Sequence, residues 1–192
     1  ATKSSDPFIS EVASHLAKAG GKRFRPLLVC LASELGKPSS DVINAAVVVE
    51  ITHLATLYHD DVMDESTMRR GVDTVNAKWG NLQAIVAGDF LLARASGIAA
   101  SLGNEIAGLL ARTIAELCEG QIEELQHTYS VARTVPSYLV SIEGKTASLF
   151  ATSARIGALV AGHDATVVDA LTNYGTSFGM VFQIVDDILD VI

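Results

Sequence analysis

Two aspartate clusters of the same form stand out in the chain: Asp60-Asp61-Val62-Met63-Asp64 and Asp186-Asp187-Ile188-Leu189-Asp190. Both lie inside apolar helical patterns, where carboxylates without a counter-charge are costly to bury. On a helix, residues four apart share a face with their β-carbons about 5–6 Å apart, so Asp60 with Asp64, and Asp186 with Asp190, each form a two-carboxylate claw. Oxygen-only ligands suit Mg²⁺, which keeps waters and takes the rest of its shell from phosphates. Two claws on helices that face each other would trap a diphosphate between metal ions as a leaving group. One such cluster near a helix end is often only solvated surface. The second, at the end of the apolar run from Phe178 to Val185, argues against that reading for the pair.

Other groups fall into place around the clusters. His53 precedes Asp60 by two turns, about 10.5 Å along a helix axis, and looks into the same space; the plainer reading is a hydrogen-bonded core histidine. His59, next to the first cluster, is expected to point elsewhere and to be structural. Gly20-Gly21-Lys22-Arg23-Phe24-Arg25 joins backbone N–H groups at a helix junction to fixed cations, which suits diphosphate oxygens, although glycines that merely stop a helix beside solvated cations read the same way. Arg69-Arg70 offers two more cations for phosphate, or an exposed loop pair. Lys145-Thr146 falls mid-helix, and Gln183 shares the face of Asp186 and Asp190, so these three could complete the site. A lysine whose stem lies along the surface and an ordinary packing amide are the bland alternatives.

The elements that must position these residues read as helices. The chain has 192 residues, 49% of them hydrophobic and 19% charged, with mean hydropathy +0.33, enough for one sizeable core and one domain. A formal charge of -8 speaks against nucleic acid as a partner. No run of about 18 uninterrupted apolar residues occurs, and no basic segment followed by an apolar stretch and a cleavage site opens the chain, so the expectation is a cytoplasmic protein without a transmembrane segment. Cys30 and Cys118, isolated in apolar patterns, are expected as small buried thiols.

Apolar residues recur mostly at three- and four-residue spacing, and strand signals are absent. Helices are predicted from Phe8 to Ala19, Pro26 to Leu35, Ser39 or Ser40 (as cap) through the first cluster, Leu82 to Leu102, Asn104 to Ser130, Pro136 to Gly162 and Ala165 to Ile192, with a polar loop from Glu65 to Gly80. The fold class is therefore all-α, a single domain over residues 1–192 with about seven helices and antiparallel neighbours. The last turn, Ile188 to Ile192, lacks a cap or polar tail, and the chain reads as cut there.

Taken in order, these segments resemble the trans-isoprenyl diphosphate synthases, the polyprenyl synthetase family. The likeness rests on Gly-Gly-Lys-Arg-Phe-Arg-Pro from Gly20, His-Asp-Asp-Val-Met-Asp from His59 with Arg69-Arg70-Gly71, and Gly88-Asp89-Phe90. It continues through Glu119-Gly120-Gln121, Gly144-Lys145-Thr146 and Phe182 to Asp190. It implies an antiparallel bundle of the isoprenoid synthase type around a central cavity, and a Mg²⁺-dependent prenyltransferase that joins an allylic diphosphate head to tail with isopentenyl diphosphate. By the same resemblance Asp60, Asp64 and Asp186 hold several Mg²⁺ ions on the allylic diphosphate, supported by Asp61, Asp187 and Asp190. Isopentenyl diphosphate is implied on Lys22, Arg25, His53 and Arg70, with Gly21 in the same segment, and the allylic diphosphate beside Arg69, Lys145, Thr146 and Gln183. Ionisation would give an allylic cation, the isopentenyl double bond would attack it, and a proton would leave to the released diphosphate. Charge on the leaving group is then met by Mg²⁺ and Arg/Lys, and apolar walls keep water from the cation.

Ala55 and Thr56 lie about one turn before Asp60, and both are small. In the family, bulky aromatics near such positions stop chain growth early, so the resemblance implies a product longer than farnesyl, in the heptaprenyl to decaprenyl range used for quinone side chains. It also implies a homodimer and transient membrane association for product release. Family members continue past the second cluster with another phosphate-binding lysine and further helices, and none follows Ile192 here. The competing readings are a non-catalytic regulatory subunit of a heteromeric synthase, which would usually lack one cluster, and a terpene cyclase, which would carry an Asn/Ser/Glu-type second motif. A plain helical bundle would have no use for Mg²⁺.

Overall fold

A computed structural model describes residues 1–37 and 39–192. Helix α1 (Pro7–Lys18) opens on Asp6, whose carboxylate accepts from the N–H groups of Phe8 and Ile9, with Pro7 at the first position, where its missing N–H costs nothing. Its inner face, Val12, Ala13 and Leu16, is buried as the helix packs against the fifth helix, and the buried Tyr58 hydroxyl of the third helix donates to Val12 O at 2.7 Å. Helix α2 (Phe24–Glu34) begins two residues before the expected Pro26, after Arg23 has turned through φ 53°. Pro26 is accommodated because the first-turn N–H groups have no partner inside the helix.

Helix α3 (Asp41–Met63) is the centre of the molecule. It is apolar on nearly every side, the pattern of a helix enclosed by others, and it packs against α2, α5 and α8. Ser39 Oγ accepts from the Asp41 N–H at 3.1 Å, whereas Ser40 makes no side-chain cap. By length and composition α3 and α5 would each suffice to cross a membrane, but half of the α3 window is buried inside the fold.

The expected loop before α5 carries more structure than the pattern predicted. A hairpin pairs β1 (Met68–Arg69) with β2 (Val72–Asp73), with Met68 opposite Asp73 and Arg69 opposite Val72. Its two-residue turn, Arg70-Gly71, has φ of 55° and 77°, as a tight hairpin turn of the primed type requires. Strands of two residues are too short to show alternation, which is why none was expected. The short α4 (Val75–Trp79) follows, capped by Thr74 Oγ1 at 3.3 Å from the Ala77 N–H.

Helices α5 (Asn81–Ser101) and α6 (Asn104–Gln126) turn at Gly103, where φ is 119°. Helix α6 ends before Ser130, and the single helix expected from Pro136 to Gly162 is three pieces: α7 (Val135–Ile142), a π turn (Glu143–Ala147) and α8 (Ser148–Val160). Helix α9 (Ala165–Leu189), capped by Asp164, lies close against α8, because a side chain at Gly175 would meet Phe150 O at 2.7 Å. The main core joins Val48, Leu54, Tyr58, Leu91, Leu110, Leu149 and Ile156, and a second cluster stacks Phe24, Phe150, Phe178 and Phe182 between α2, α8 and α9. The all-α class is as the spacing predicted; the hairpin and the π turn are the departures, and both carry residues of the site.

Candidate functional site

A cavity of about 830 Å³ collects residues from α2, α3, the hairpin, α5, α6, the π turn, α8 and α9. Helix α3 presents His53, Thr56, Leu57, Asp60 and Met63 to it, at the three- and four-residue steps of one face. Ala55, coupled with Thr56 in the sequence reading, is off that face: it is fully buried in the core and does not line the cavity.

The three aspartates of the first cluster have different surroundings. Asp60 lines the cavity, and Asp64 is exposed as the C-cap of α3. Asp61 is fully buried, where Arg69 Nε donates to its Oδ1 at 2.5 Å and Asn76 Nδ2 donates to its main-chain carbonyl at 3.1 Å. Burial raises the Asp61 carboxyl and Arg69 opposes it. Asp60 is pushed up to about 6, first by burial and then by the negative charges of Asp64 and Asp61, against Lys145 and Arg69.

The second cluster repeats this division. Asp186 is exposed and lines the cavity, and Asp190 is exposed as the C-cap of α9. Asp187 accepts from the Tyr138 hydroxyl at 2.5 Å and from Gln183 Nε2 at 2.7 Å. Gln183 Oε1 in turn accepts from Thr146 Oγ1 at 2.7 Å, so Thr146 and Gln183, both in the cavity wall, are engaged with each other.

The same cavity is lined by a group of cations. Arg25 lies 4.3 Å from the Phe150 ring centroid, and burial, then the neighbouring Arg70, lower it to about 10. Arg70, held by Nη1 donating to Gly20 O at 2.5 Å, is lowered by burial and then by Arg23 and Arg69. A side chain at Gly21, where φ is 133°, would meet the Arg70 guanidinium at 2.8 Å, so this glycine is needed for the close approach. His53 is held well below its ordinary range by burial and then by Arg25, Arg70, Arg69 and Arg23, and its imidazole is neutral near pH 7. Of these arginines, Arg23 is paired with Glu50 outside the cavity and Arg69 with Asp61, while Arg25 and Arg70 line the cavity without an ion pair among the described residues and suit an anion. Lys22 is not in this wall: it is exposed, with Nζ 5.9 Å from the Phe24 ring centroid.

The π turn brings in Lys145. A β-carbon at Gly120 would sit 2.3 Å from Lys145 N, so α6 and the π turn meet backbone to backbone. Lys145 forms an ion pair with Glu124 of α6. Glu124 was not singled out from the sequence, although Leu117, Gln121 and Glu124 follow helical spacing on α6 and the first two line the cavity. Two further expectations change. His59, expected to be structural, lines the cavity, with Nε2 3.2 Å from Ile85 O and 3.4 Å from Asp89, because Gly88 leaves room for its ring. Cys118, expected to be buried, is exposed in the cavity wall, since that face of α6 has no facing helix; it and Cys30 are free thiols.

A divalent cation fits these carboxylates. Asp60, Asp64, Asp186 and Asp190 make no ion pair among the described residues. All four stand at the C-terminal ends of α3 and α9, where the helix dipole disfavours negative charge by about 0.3–1 kcal/mol each. No three metal-ligating side chains among the described residues close around one point, so an ion here would draw much of its shell from phosphate and water, the habit of Mg²⁺ rather than Zn²⁺. The apolar part of the wall, with Leu57, Leu117, Leu149 and Phe182, suits a hydrocarbon tail.

Residues 6–192 match the family model described as polyprenyl synthetase. The chain is 43% identical over 191 residues to a nonaprenyl diphosphate synthase of Mycobacterium tuberculosis, covering 98% of this chain and 57% of that protein. It is 45% identical over 184 residues to heptaprenyl diphosphate synthase component 2 of Geobacillus stearothermophilus, covering 95% and 58%. Among solved structures, a polyprenyl synthase of Caulobacter crescentus complexed with calcium and isoprenyl diphosphate superposes with a TM-score of 0.96 at 38% identity, covering 98% of this chain and 58% of that one. The chain thus spans somewhat over half the length of the relatives it matches.

Proposed function

This chain belongs to the polyprenyl synthetase family, and from that membership we propose that it carries the catalytic centre of a Mg²⁺-dependent prenyltransferase. The reaction is elongation of an allylic diphosphate with isopentenyl diphosphate to an all-trans polyprenyl diphosphate longer than farnesyl. One observation carries this reading: Asp60 and Asp186, from two different helices, line the same cavity as Arg25, Arg69, Arg70 and Lys145, together with apolar side chains such as Leu57, Leu117, Leu149 and Phe182. A site with two acidic helix ends, a cationic wall and a long greasy interior suits an amphiphile with a diphosphate head.

Asp60, Asp64 and Asp186 are the residues that hold Mg²⁺, with Asp190 exposed beside them and Asp61 and Asp187 fixed behind by protein donors. Mg²⁺ held there would supply charge neutralisation for the departing diphosphate. Arg69 and Lys145 bind the allylic diphosphate from the protein side, and Arg25, Arg70 and neutral His53 take the isopentenyl diphosphate; Lys22, exposed outside this wall, is assigned to that substrate by the family resemblance alone. Leu57, Leu117 and Leu149 keep water from the allylic cation, and the proton lost in the last step goes to the released diphosphate. Thr56 is the small residue on the cavity face beneath Asp60, leaving room for a long product, and the names of the two relatives, a nonaprenyl and a heptaprenyl synthase, support that length. A quinone side-chain precursor made in the cytoplasm, with transient membrane contact for release, is the setting this implies.

A second reading is favoured by one observation: the Geobacillus relative is named as component 2 of its synthase. The chain would then act with a partner component rather than as a homodimer, but with both aspartate clusters present it would be the catalytic one. The test is to incubate the chain with labelled isopentenyl diphosphate and farnesyl diphosphate, with Mg²⁺ or with EDTA, and to size the dephosphorylated products. Long prenyl chains only with Mg²⁺ are expected. Absence of Mg²⁺-dependent product, together with no binding of inorganic pyrophosphate in the presence of Mg²⁺, would end the proposal.

A further inference from the structure

Asp187 stands between two exposed carboxylates, Asp186 and Asp190, yet both of its own oxygens are engaged by protein donors. The Tyr138 hydroxyl donates to Oδ2 at 2.5 Å, and Gln183 Nε2 donates to Oδ1 at 2.7 Å. Gln183 is itself fixed through its bond from Thr146 Oγ1 at 2.7 Å. The chain of contacts runs from the π turn to α9 and out to α7, and Tyr138 belongs to none of the motifs read from the sequence. A carboxylate held at one oxygen still rotates about Cβ–Cγ; held at both its plane is set, and because Tyr138 lies on α7 the bond also ties the last turn of α9 to that helix. Neighbours on that turn are Asp186, one residue back, and Asp190, three residues on.

The tyrosine is well suited to this role. The Arg133 guanidinium lies 5.6 Å from its ring centroid and steadies it. Burial, and the bond to Asp187, push its hydroxyl up to about 12, so it remains a donor at any working pH. Gln183, a neutral amide four residues from Asp187 on the same helix, could not by itself fix the carboxylate against α7, whereas Tyr138 reaches it from another helix.

We propose that Tyr138 is a positioning residue of the cation site: by occupying Asp187 it withholds that carboxylate from the cation and holds the end of α9 so that Asp186 stays turned into the cavity. This rests on the reading that Asp60, Asp64 and Asp186 bind a divalent cation together with a diphosphate. Groups that orient metal ligands from behind typically change metal affinity about 10–100-fold when removed.

The experiment titrates Mn²⁺ into the full chain in the presence of inorganic pyrophosphate, by isothermal calorimetry. Four proteins are compared: wild type, Tyr138→Phe, Asp187→Ala and the double variant. Tyr138→Phe keeps the ring, and helix content by circular dichroism checks that the fold is kept. The expected result is an Mn²⁺ dissociation constant raised about 10-fold by Tyr138→Phe in the wild-type background, and by less than about twofold in the Asp187→Ala background. An unchanged constant in Tyr138→Phe overturns the inference. So does an equal loss in both backgrounds, since the tyrosine would then act independently of Asp187. A wild-type chain that binds no Mn²⁺ with pyrophosphate overturns the cation site itself, and this inference with it.

Discussion

Asp61 and Asp187 occupy the same place in their clusters, and each is held by protein donors while the aspartates on either side are left for a ligand. The two clusters are thus alike in their protein contacts as well as in spelling. Replacing Asp60 or Asp186 with Asn keeps size and removes charge; on the proposed mechanism each should lower Mg²⁺-dependent turnover by about 10²–10³-fold with little change in melting temperature. Steady-state rates at saturating substrate check this, and turnover retained in both variants would remove the metal assignment. Lys145 is paired with Glu124, a carboxylate in the place a phosphate would take. Glu124→Gln should free the lysine and tighten metal-free pyrophosphate binding several-fold. Calorimetry without Mg²⁺ decides it, and a weaker interaction would mean that Glu124 positions the lysine rather than competing for it.

Among the elements, the π turn is the one on which the site depends most. An unbroken α-helix through Glu143–Ala147 would turn Lys145 and Thr146 to other faces, and the extra residue is accommodated where α6 has no side chain at Gly120. Gly120→Ala would drive a methyl into the Lys145 backbone. It should cost about 1–3 kcal/mol of stability and weaken pyrophosphate binding as well, because the turn must shift. Chemical denaturation alongside calorimetry tests both; a variant as stable as wild type would show that the two backbones separate easily. The hairpin does the corresponding work for Arg69 and Arg70, its Arg70-Gly71 turn folding the arginines back toward Asp61 and Gly20.

Across the whole molecule, the packing gathers acidic helix ends and arginines from α2 and the hairpin into one cavity. This gathering of charge carries a pH signature. Unfolded, His53 takes up a proton near pH 6.5; folded, only well below that, so between those values the unfolded chain binds more protons. Unfolding free energy should therefore fall as pH drops from about 6.5, by at most ~1.4 kcal/mol per pH unit from this residue. Asp60, raised to about 6, works in the opposite direction, so the comparison is with His53→Gln, in which the His53 share of the slope is lost. Denaturation curves at several pH values would read it, and identical slopes would place the imidazole in contact with solvent. The cavity's length is also a property of the whole. Thr56→Phe narrows it beneath Asp60 and should shorten the prenyl product by one or more isoprene units; an unchanged product distribution would move the limiting wall elsewhere.

The helical class, the order of the main helices and most of the charged groups of the site were legible in the residues, because 3.6-residue periodicity and carboxylate spacing are local properties of the chain. The same locality explains what was not. The division of each cluster into ligand-facing and protein-held aspartates depends on Arg69 and Tyr138, which arrive from other elements, and no spacing within Asp60–Asp64 or Asp186–Asp190 encodes them. His59 and Cys118 enter the cavity, and Ala55 leaves it, according to which faces of α3 and α6 their neighbours cover. Hydrophobic patterning sets which helices form; the side chains that meet across the cavity are set by how those helices pack, through a β-turn, a π turn and glycine contacts that bring distant backbones together.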